Sequence, residues 1–177
     1  QVFPDQLHIS KLILLKKKPV VDAFDKLRGI NITNNIKNII IKMRYNRYYN
    51  NYHHNIHDHH GAYTPGSGCE LMFFAFHTII YDVEIRNGKI YLALSDLSKA
   101  FDRCNRDIIG FNVHNIGING NNLRLFLNEL EFSKIQIIWN GKHSNRIEIN
   151  DGLPQGHNES GPIFNIYINE PLENTLD

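Results

Sequence analysis

Apolar residues in this chain occur either in short runs or at helical spacing, and the two patterns predict different elements. Runs of strand-forming residues bounded by polar or turn residues predict strands at residues 12–15, 90–94, 134–139 and 142–149. Apolar positions three or four residues apart predict helices at residues 34–47, 71–81, 121–131 and 162–172, and another helix that opens at Leu97. Both kinds of element therefore alternate along one chain.

The helix predicted at residues 34–47 has two distinct sides. Its apolar side consists of Ile36, Ile39, Ile40 and Met43. Its basic side consists of Lys37, Lys42, Arg44 and Arg47. We expect the apolar side to be buried, and the basic side either to be solvated or to follow a nucleic-acid backbone.

The helix predicted at residues 71–81 is apolar almost all round, which indicates a buried helix. Ser67 and Glu70 precede it with the spacing of a capping box. A turn at residues 86–88 then separates this helix from the strand predicted at residues 90–94.

Glycine marks two further turns. Asn140-Gly141 lies between two predicted strands and suits the type I′ turn of a hairpin. Gly152-Leu-Pro-Gln-Gly156 predicts a tight loop, in which glycine allows the backbone to approach another segment closely. Pro162 suits the first turn of the helix that follows.

Composition restricts the partners more than the fold. A chain of 177 residues can bury one substantial core, and a net charge of +1 with a pI of about 8.0 means that any nucleic-acid contact must be local. Cys69 and Cys104 form no spaced cluster, which argues against a zinc knuckle or a disulfide framework. Without a membrane-length apolar run or a signal-peptide pattern, we expect no membrane partner and an intracellular location, the nucleus included.

Residues 48–60 form a low-complexity segment rich in Asn, Tyr and His. Beside Asp58, its histidines are His53, His54, His57, His59 and His60. Such tracts can bind metal through neutral imidazole, so one hypothesis is a metal- or nucleic-acid-binding module centred here. The Asn and Tyr repeats favour the alternative, a flexible loop.

The strand predicted at residues 90–94 leads to an aspartate, Asp96. Burial of a carboxylate at a strand end is costly unless a positive partner meets it. In phosphoryl-transfer sites that partner is commonly a divalent metal ion. Phe101 is then expected to pack beside the site and contact a sugar. The alternative is that Asp96 caps a helix and Phe101 fills core space.

Three blocks in this order resemble one known family. Residues 96–103 (Asp-Leu-Ser-Lys-Ala-Phe-Asp-Arg) are followed by Gly152-Leu-Pro-Gln-Gly156 and by Phe164-Asn-Ile-Tyr-Ile-Asn169. They resemble a reverse transcriptase, and most closely the polymerase of non-LTR (LINE-type) retrotransposons. The resemblance implies an α+β fold, an incomplete right-hand polymerase with a fingers-like region at residues 1–88 and a partial palm at residues 89–177.

The resemblance also implies a gap in the chemistry. The family carries two more metal-binding carboxylates in a Tyr-x-Asp-Asp hairpin, which is expected after Asn169 and before a thumb. Neither is present in these 177 residues, so we expect a truncated fragment. Asp102 matches a family position that is usually structural, and it cannot replace the missing carboxylates.

The resemblance assigns roles to individual residues. Asp96 is expected to be catalytic and to bind the metal. Residues 26–33 resemble the first fingers block, in which Arg28 matches a group that reaches the incoming triphosphate, and Lys16 and Lys17 match more loosely. The remaining nucleotide-binding residues that we expect are Phe101, Gln155 and Gly156.

Two motifs depart from the family pattern. The second fingers block, usually Gln-Gly-Ala-Tyr-Arg-x-Gly-Arg-Ser, has His60 for the Gln, Thr64 for the first Arg and Ser67 for the second Arg. The loss of both positive groups puts the grip on the template in doubt. After Gly156, Ser160 and Phe164 keep the family register while the proline is shifted by one position to Pro162.

The resemblance implies RNA-directed DNA polymerisation by metal-dependent nucleotidyl transfer in the full-length family. It implies Mg²⁺ as cofactor, an RNA template and a DNA primer as partners, and dNTP as substrate. With one expected carboxylate of three, this fragment is expected to be inactive by itself, because Mg²⁺ requires near-octahedral oxygen ligation. The alternative is a decayed or repurposed non-catalytic remnant with at most weak nucleic-acid binding.

Overall fold

The computed structural model describes residues 4–16 and 27–176, and the side chains of Lys16, Arg28 and residues 170–176 lie outside that description. Its strands are β1 (Ile9–Lys16), β2 (Leu27–Ile32), β3 (Lys134–Trp139) and β4 (Lys142–Glu148). Its helices are α1 (Asn35–Arg47), α2 (Tyr49–His54), α3 (Cys69–Ile85), α4 (Arg106–Asn115), α5 (Gly120–Glu131) and α6 (Ser160–Leu176). Short 3₁₀ helices span Asp5–Leu7 and Phe101–Arg103. The mixed α and β composition agrees with the expected class.

The strands form one sheet in the order β2-β1-β3-β4. β1 is antiparallel to β2 and parallel to β3, with Ile9 opposite Lys134. β3 and β4 form an antiparallel hairpin whose turn residues, Asn140 and Gly141, have φ values of 47° and 74°. Positive φ at both central positions is the signature of a type I′ turn, so the hairpin prediction is confirmed.

The main core lies where α2, α4, α5 and α6 meet. The predicted stripe of α5 supplies Phe126 and Leu130, both buried. They join buried residues of the other elements in one cluster, which includes Tyr52, Ile109, Val113, Ile118, Ile163 and Ile166. Fully burying a large aliphatic side chain contributes about 1.5–3 kcal/mol, so this cluster is the main hydrophobic anchor of the fold.

Helix α1 forms where it was predicted, with the Asn34 side chain accepting a hydrogen bond from the amide of Ile36 at 2.8 Å. The prediction of its buried side was wrong. Lys37, Ile41 and Arg44 face the interior, and Ile36 is among the exposed residues. The reason is that two buried carboxylates of other elements meet the basic residues of α1, which makes their burial favourable.

The prediction of a flexible loop at residues 48–60 was also wrong. Residues 49–54 form α2, and Tyr52 is 0% exposed within the main core. Ile56 and His60 are buried as well. Tyrosine has enough apolar area to anchor a short helix once its hydroxyl has a partner, and a low-complexity pattern does not reveal that partner.

Helix α3 covers the predicted segment, but its burial was predicted wrongly. Within the described part of the chain no residue of α3 is buried, and large apolar side chains such as Phe73 and Phe74 are exposed. The capping box is absent as well, because the helix begins after Gly68 without a side-chain cap. In the described ranges, no helix combines the length and the apolar character needed to cross a membrane.

The strand predicted at residues 90–94 does not form. Residues 88–97 are irregular and exposed, and Leu94 is 95% exposed. The helix predicted from Leu97 is replaced by a turn at residues 98–100 and the 3₁₀ helix Phe101–Arg103. An apolar run becomes a strand only when a neighbouring strand accepts and donates its hydrogen bonds, and no described strand pairs with this run.

Candidate functional site

Two segments that lie far apart in the sequence dock through their backbones. The amide of Gly152 donates to the carbonyl of Cys104 at 2.9 Å, and the amide of Leu153 donates to the carbonyl of Phe101 at 2.8 Å. Gly152 has φ +80°, and a Cβ added there would lie 2.8 Å from the carbonyl oxygens of Phe101 and Asp102. Only glycine combines this conformation with so close an approach, as the sequence predicted for this loop.

The exposed end of the same loop is fixed by side chains. Gln155 Nε2 donates to Asp102 Oδ1 at 3.3 Å, so the amide of one predicted motif contacts the carboxylate of the other. Gly156 follows with φ +104° and is exposed. Both nucleotide-binding candidates of this loop are exposed, and Gln155 contacts the 3₁₀ helix Phe101–Arg103.

Phe101 packs in an aromatic group. Its ring stacks on Phe164 with centroids 4.6 Å apart, and the edge of the Tyr63 ring meets it at 6.1 Å. Tyr63 also lies over Gly161, where an added Cβ would come within 2.2 Å of the Tyr63 ring. Gly161 thus leaves room for the Tyr63 ring to pack on α6.

Arg106 binds the backbone of the loop through its guanidinium. Its guanidinium donates to the carbonyls of Gly152 and Asp151 at 3.1 and 3.2 Å, and also to the carbonyls of Leu130 and Ile149. Burial lowers the pKa of Arg106, and Asp151 counteracts that effect. One guanidinium with five donors thereby links the loop, α5 and the end of β4.

A cleft of about 590 Å³ separates this loop from one face of the sheet. The sheet lines it with alternate residues of β1 and their neighbours on β2, which are Ser10, Leu12, Leu14, Gly29 and Asn31. The other wall carries Asp102, Arg106 and Gln155. An apolar floor with a few convergent polar groups is the usual form of a ligand site.

A buried charge cluster lies behind the loop. Glu129 of α5 lies 3.3 Å from Lys37 Nζ and 2.7 Å from Arg44 Nη2. Glu159 also pairs with Arg44, whose Nε donates to it at 3.1 Å, and the Tyr52 hydroxyl donates to Glu159 at 3.2 Å. Two basic and two acidic side chains are therefore paired with one another, and all four are almost fully enclosed.

The local field keeps Glu129 and Arg44 ionised, whereas burial raises the pKa of Glu159 above its ordinary value in spite of the charge of Arg44. Burial alone would raise the pKa of Glu129, but the charges of Arg44 and Lys37 outweigh it and hold that pKa below its ordinary value. Burial would lower the pKa of Arg44, yet Glu159 and Glu129 raise it, so the guanidinium stays charged. His157, next to this cluster, has its pKa lowered to about 4 by burial, so its imidazole is neutral at pH 7.

Sequence reasoning missed the cluster although it left a signal. Lys37, Ile41 and Arg44 share one helical stripe at i, i+4 and i+7. Glu129 interrupts the apolar stripe of α5 beside Leu130. Basic residues on one helix and an acidic residue within the apolar stripe of another indicate complementary buried charges.

Asp96 is exposed within the irregular segment at residues 88–97, so its predicted place at a strand end was wrong. Lys17 lies outside the described residues. Lys16 and Arg28 lie at one end of the β1–β2 pair, where Leu15 is opposite Arg28 and Lys16 is opposite Leu27. Their side chains, and with them their predicted contact with a triphosphate, fall outside the description.

The described residues do not form a metal cage. In residues 4–16 and 27–176, no group of three or more His, Cys, Asp or Glu side chains is arranged to hold a metal ion. This applies to Asp96 as well as to the histidine tract, in which His53 bonds to the Tyr45 hydroxyl at 2.9 Å and His60 bonds to Asn169 at 2.8 Å.

Comparison with known families places the docked segments within one family model. No curated protein matches the chain. The family model described as reverse transcriptase (RNA-dependent DNA polymerase) matches residues 15–177. This match contains both docked segments, the aromatic group and the charge cluster, and it covers nearly the whole sequence. The chain therefore belongs to the reverse transcriptase family.

Proposed function

We propose that this chain provides the fingers and part of the palm of a non-LTR (LINE-type) reverse transcriptase. In that assignment residues 1–88 are fingers and residues 89–177 are palm. The parent reaction is RNA-directed DNA polymerisation, in which the terminal primer hydroxyl attacks the α-phosphate of a dNTP and pyrophosphate leaves. Membership of the family supports the polymerase assignment, and the non-LTR subtype is proposed on the resemblance of the three quoted blocks alone.

The observation that carries the proposal is the docking of the Gly152 loop on residues 101–104. In a polymerase, nucleotide and template must be held by loops that are fixed relative to the palm. The hydrogen bonds of Gly152 and Leu153 and the contact between Gln155 and Asp102 provide such a fixed loop. The cleft of about 590 Å³ opens beside it.

We assign the nucleotide-binding role to the residues that match family positions, which are Lys16, Lys17, Arg28, Phe101, Gln155 and Gly156. Phe101 and Gln155 are neighbours of Asp102 and of the aromatic group, so they suit the sugar and the base side of a nucleotide. Asp96 is our candidate for the catalytic carboxylate, with Mg²⁺ as the cofactor of the family reaction. The described residues do not make the Mg²⁺ site themselves.

Primer extension tests the proposal. Purified residues 1–177 are expected to give no extension of a DNA primer on an RNA template with Mg²⁺ or Mn²⁺, since the chain contains no Tyr-x-Asp-Asp block. The same chain extended by a family-like Tyr-x-Asp-Asp hairpin and thumb should synthesise DNA, and Asp96→Asn should abolish that synthesis. Extension by residues 1–177 alone, or an extended chain indifferent to Asp96→Asn, would contradict the proposal.

A decayed or repurposed remnant is the second candidate, and two observations favour it. Lys37 and Arg44, which we expected to help bind nucleic acid, are buried in ion pairs and cannot reach a phosphate backbone. Thr64 and Ser67 replace both arginines of the second fingers block. The weak, salt-sensitive nucleic-acid binding of such a remnant would rely on exposed cations such as Lys42 and Arg47.

A further inference from the structure

We propose that His157 is a positioning residue, which fixes the Gln155–Gly156 loop against the end of strand β2 through a buried relay from Thr33 to Glu129. The relay itself is a feature of the fold. Its bearing on nucleotide or template binding rests on the proposed function, because only that function gives Gln155 and Gly156 a ligand.

The relay consists of three side chains from three separate parts of the chain. His157 Nε2 lies 3.0 Å from Thr33 Oγ1, and His157 Nδ1 lies 3.4 Å from Glu129 Oε1. Thr33 directly follows β2, Glu129 belongs to α5, and His157 directly follows Gly156. All three are buried, with exposed fractions of 8% or less.

The charge states of Glu129 and His157 determine which atom donates the hydrogen bond between Thr33 and His157. Glu129 is ionised because Arg44 and Lys37 hold its pKa below the ordinary value. A neutral imidazole has one N–H and one acceptor nitrogen, and the negative charge of Glu129, 3.4 Å from Nδ1, favours the tautomer with the proton on Nδ1. His157 Nε2 is then an acceptor and takes the hydrogen bond of the Thr33 hydroxyl. Each member therefore has one defined role, and a single imidazole tautomer satisfies both contacts.

The backbone reinforces this contact between the loop and β2. Gly156 has φ +104°, and a Cβ added there would lie 3.3 Å from the carbonyl oxygen of Asn31. Asn31 is a β2 residue two positions before Thr33 and also lines the cleft. The loop thus meets β2 at two adjacent points, one through backbone contact and one through the imidazole of His157.

The consequence is a mechanical link between two candidate binding segments. β2 carries Arg28 in its backbone ladder, and the loop carries Gln155 and Gly156. Docking on residues 101–104 fixes the start of the loop, and the relay fixes its end. Without His157, the loop would keep the contact between Gln155 and Asp102, the hydrogen bond from Ser160 Oγ to the Pro154 carbonyl and the approach of Gly156 to Asn31, but it would lose its side-chain hydrogen bond to Thr33.

Conservative variants separate the hydrogen bond of His157 to Thr33 from its electrostatic contact with Glu129. In His157→Gln the side-chain amide reaches the position of Nε2, and its carbonyl can accept from Thr33. In His157→Asn the amide reaches only the position of Nδ1, so the contact with Thr33 is lost while the contact with Glu129 is kept. Thr33→Val removes the same hydroxyl from the other side, and Thr33→Ser is the matched control that keeps it.

The measurement is the backbone ¹⁵N relaxation of Gln155 and Gly156 in the purified chain. We expect order parameters of about 0.85 in the wild type, His157→Gln and Thr33→Ser, and values below about 0.6 in His157→Asn and Thr33→Val. Combining His157→Asn with Thr33→Val should not lower the order parameters further, because both substitutions remove the same hydrogen bond. Equal loosening by His157→Gln and His157→Asn, or a rigid loop in Thr33→Val, would overturn the inference.

A second readout separates this inference from the proposed function. Affinity for a short RNA–DNA primer–template duplex is measured by fluorescence anisotropy at low salt with the same variants. We expect His157→Asn to lower the affinity for the duplex roughly fivefold to tenfold, the size expected for one hydrogen bond, and His157→Gln to restore it. That result would support the link between the relay and ligand binding. Absence of duplex binding by the wild type counts against the proposed function alone, since the relaxation result still decides the relay.

Discussion

At the scale of single residues, the buried imidazole of His157 makes stability depend on pH. Its pKa is about 4 in the folded chain and about 6.5 when unfolded, so the unfolded state binds the proton first as the pH falls. Stability should therefore decrease from about pH 6.5 towards pH 4, by roughly 3 kcal/mol in total. The lowered pKa of Glu129 adds a further loss of stability only below the pH range in which carboxylates ordinarily titrate.

Urea unfolding between pH 7 and pH 5 measures this effect. His157→Gln cannot titrate, so its unfolding free energy should change much less over that interval than the wild-type value. Thr33→Ser keeps the imidazole and should follow the wild-type curve. Parallel pH profiles for the wild type and His157→Gln would show that His157 is not the titrating group.

Residue roles were predictable where they depend on local backbone conformation, and much less so where they depend on distant partners. The positive φ of Asn140 and Gly141 follows from the Asn-Gly pair itself. The burial of Arg44 does not, because it depends on Glu129 and Glu159, which are remote in the chain. A long cation is buried only when carboxylates replace its water, and the sequence of one helix does not contain that information.

At the scale of elements, the docking of the Gly152 loop is the contact most sensitive to substitution. Gly152→Ala introduces a Cβ 2.8 Å from two carbonyl oxygens and also strains a residue with φ +80°. Gly66 is the matched control, since it has φ +75° with nothing within 4 Å of an added Cβ. Gly66→Ala should cost about 1–2 kcal/mol from strain alone, and Gly152→Ala a further 1–3 kcal/mol from overpacking.

Chemical denaturation of both variants measures these costs, and the difference between them isolates the docking contact. Equal losses in the two variants would mean that the loop does not need its close approach to residues 101–104. The hydrogen bonds of Gly152 and Leu153 should become weaker together in Gly152→Ala, which hydrogen exchange at these two amides can detect.

Elements were predicted best where they are determined by residues close to one another in the sequence. The β3–β4 hairpin and α5 formed within a residue or two of their expected bounds, because turn chemistry and an apolar stripe are local signals. The run at residues 90–94 has the same strand-forming composition, yet it remains irregular without a pairing strand in the described sheet. Strand formation requires hydrogen-bond partners, which composition alone does not supply.

At the scale of the whole molecule, the apolar surface of α3 is large for a single soluble chain. Leu71, Phe73, Phe74, Ile79, Tyr81 and Ile85 are each at least half exposed. Contiguous apolar patches of this kind mark surfaces that associate with another molecule or aggregate. We therefore expect purified residues 1–177 to self-associate and to bind a hydrophobic dye such as ANS.

Light scattering coupled to size-exclusion chromatography tests this expectation over a range of concentrations. Replacing Phe73 and Phe74 with serine should shift the chain towards monomer and reduce ANS fluorescence. Replacing Ile36 and Ile39 with serine is the control, because these α1 residues are about as exposed but do not belong to the α3 surface. A wild-type chain that stays monomeric without binding ANS would refute the expectation.

The parallel pairing of β1 with β3 has a consequence for the order of folding. Ile9 is hydrogen-bonded into a ladder with a strand that begins at Lys134, so the centre of the sheet joins two strands that are far apart in the sequence. A ribosome adds about 5–20 residues per second, which delays the arrival of β3 by roughly 6 to 25 s after β1 emerges. Throughout that interval β1 has an unpaired edge rich in leucine and isoleucine, which is a template for wrong pairing. The yield of correctly folded chain should therefore depend on the rate of translation between β2 and β3.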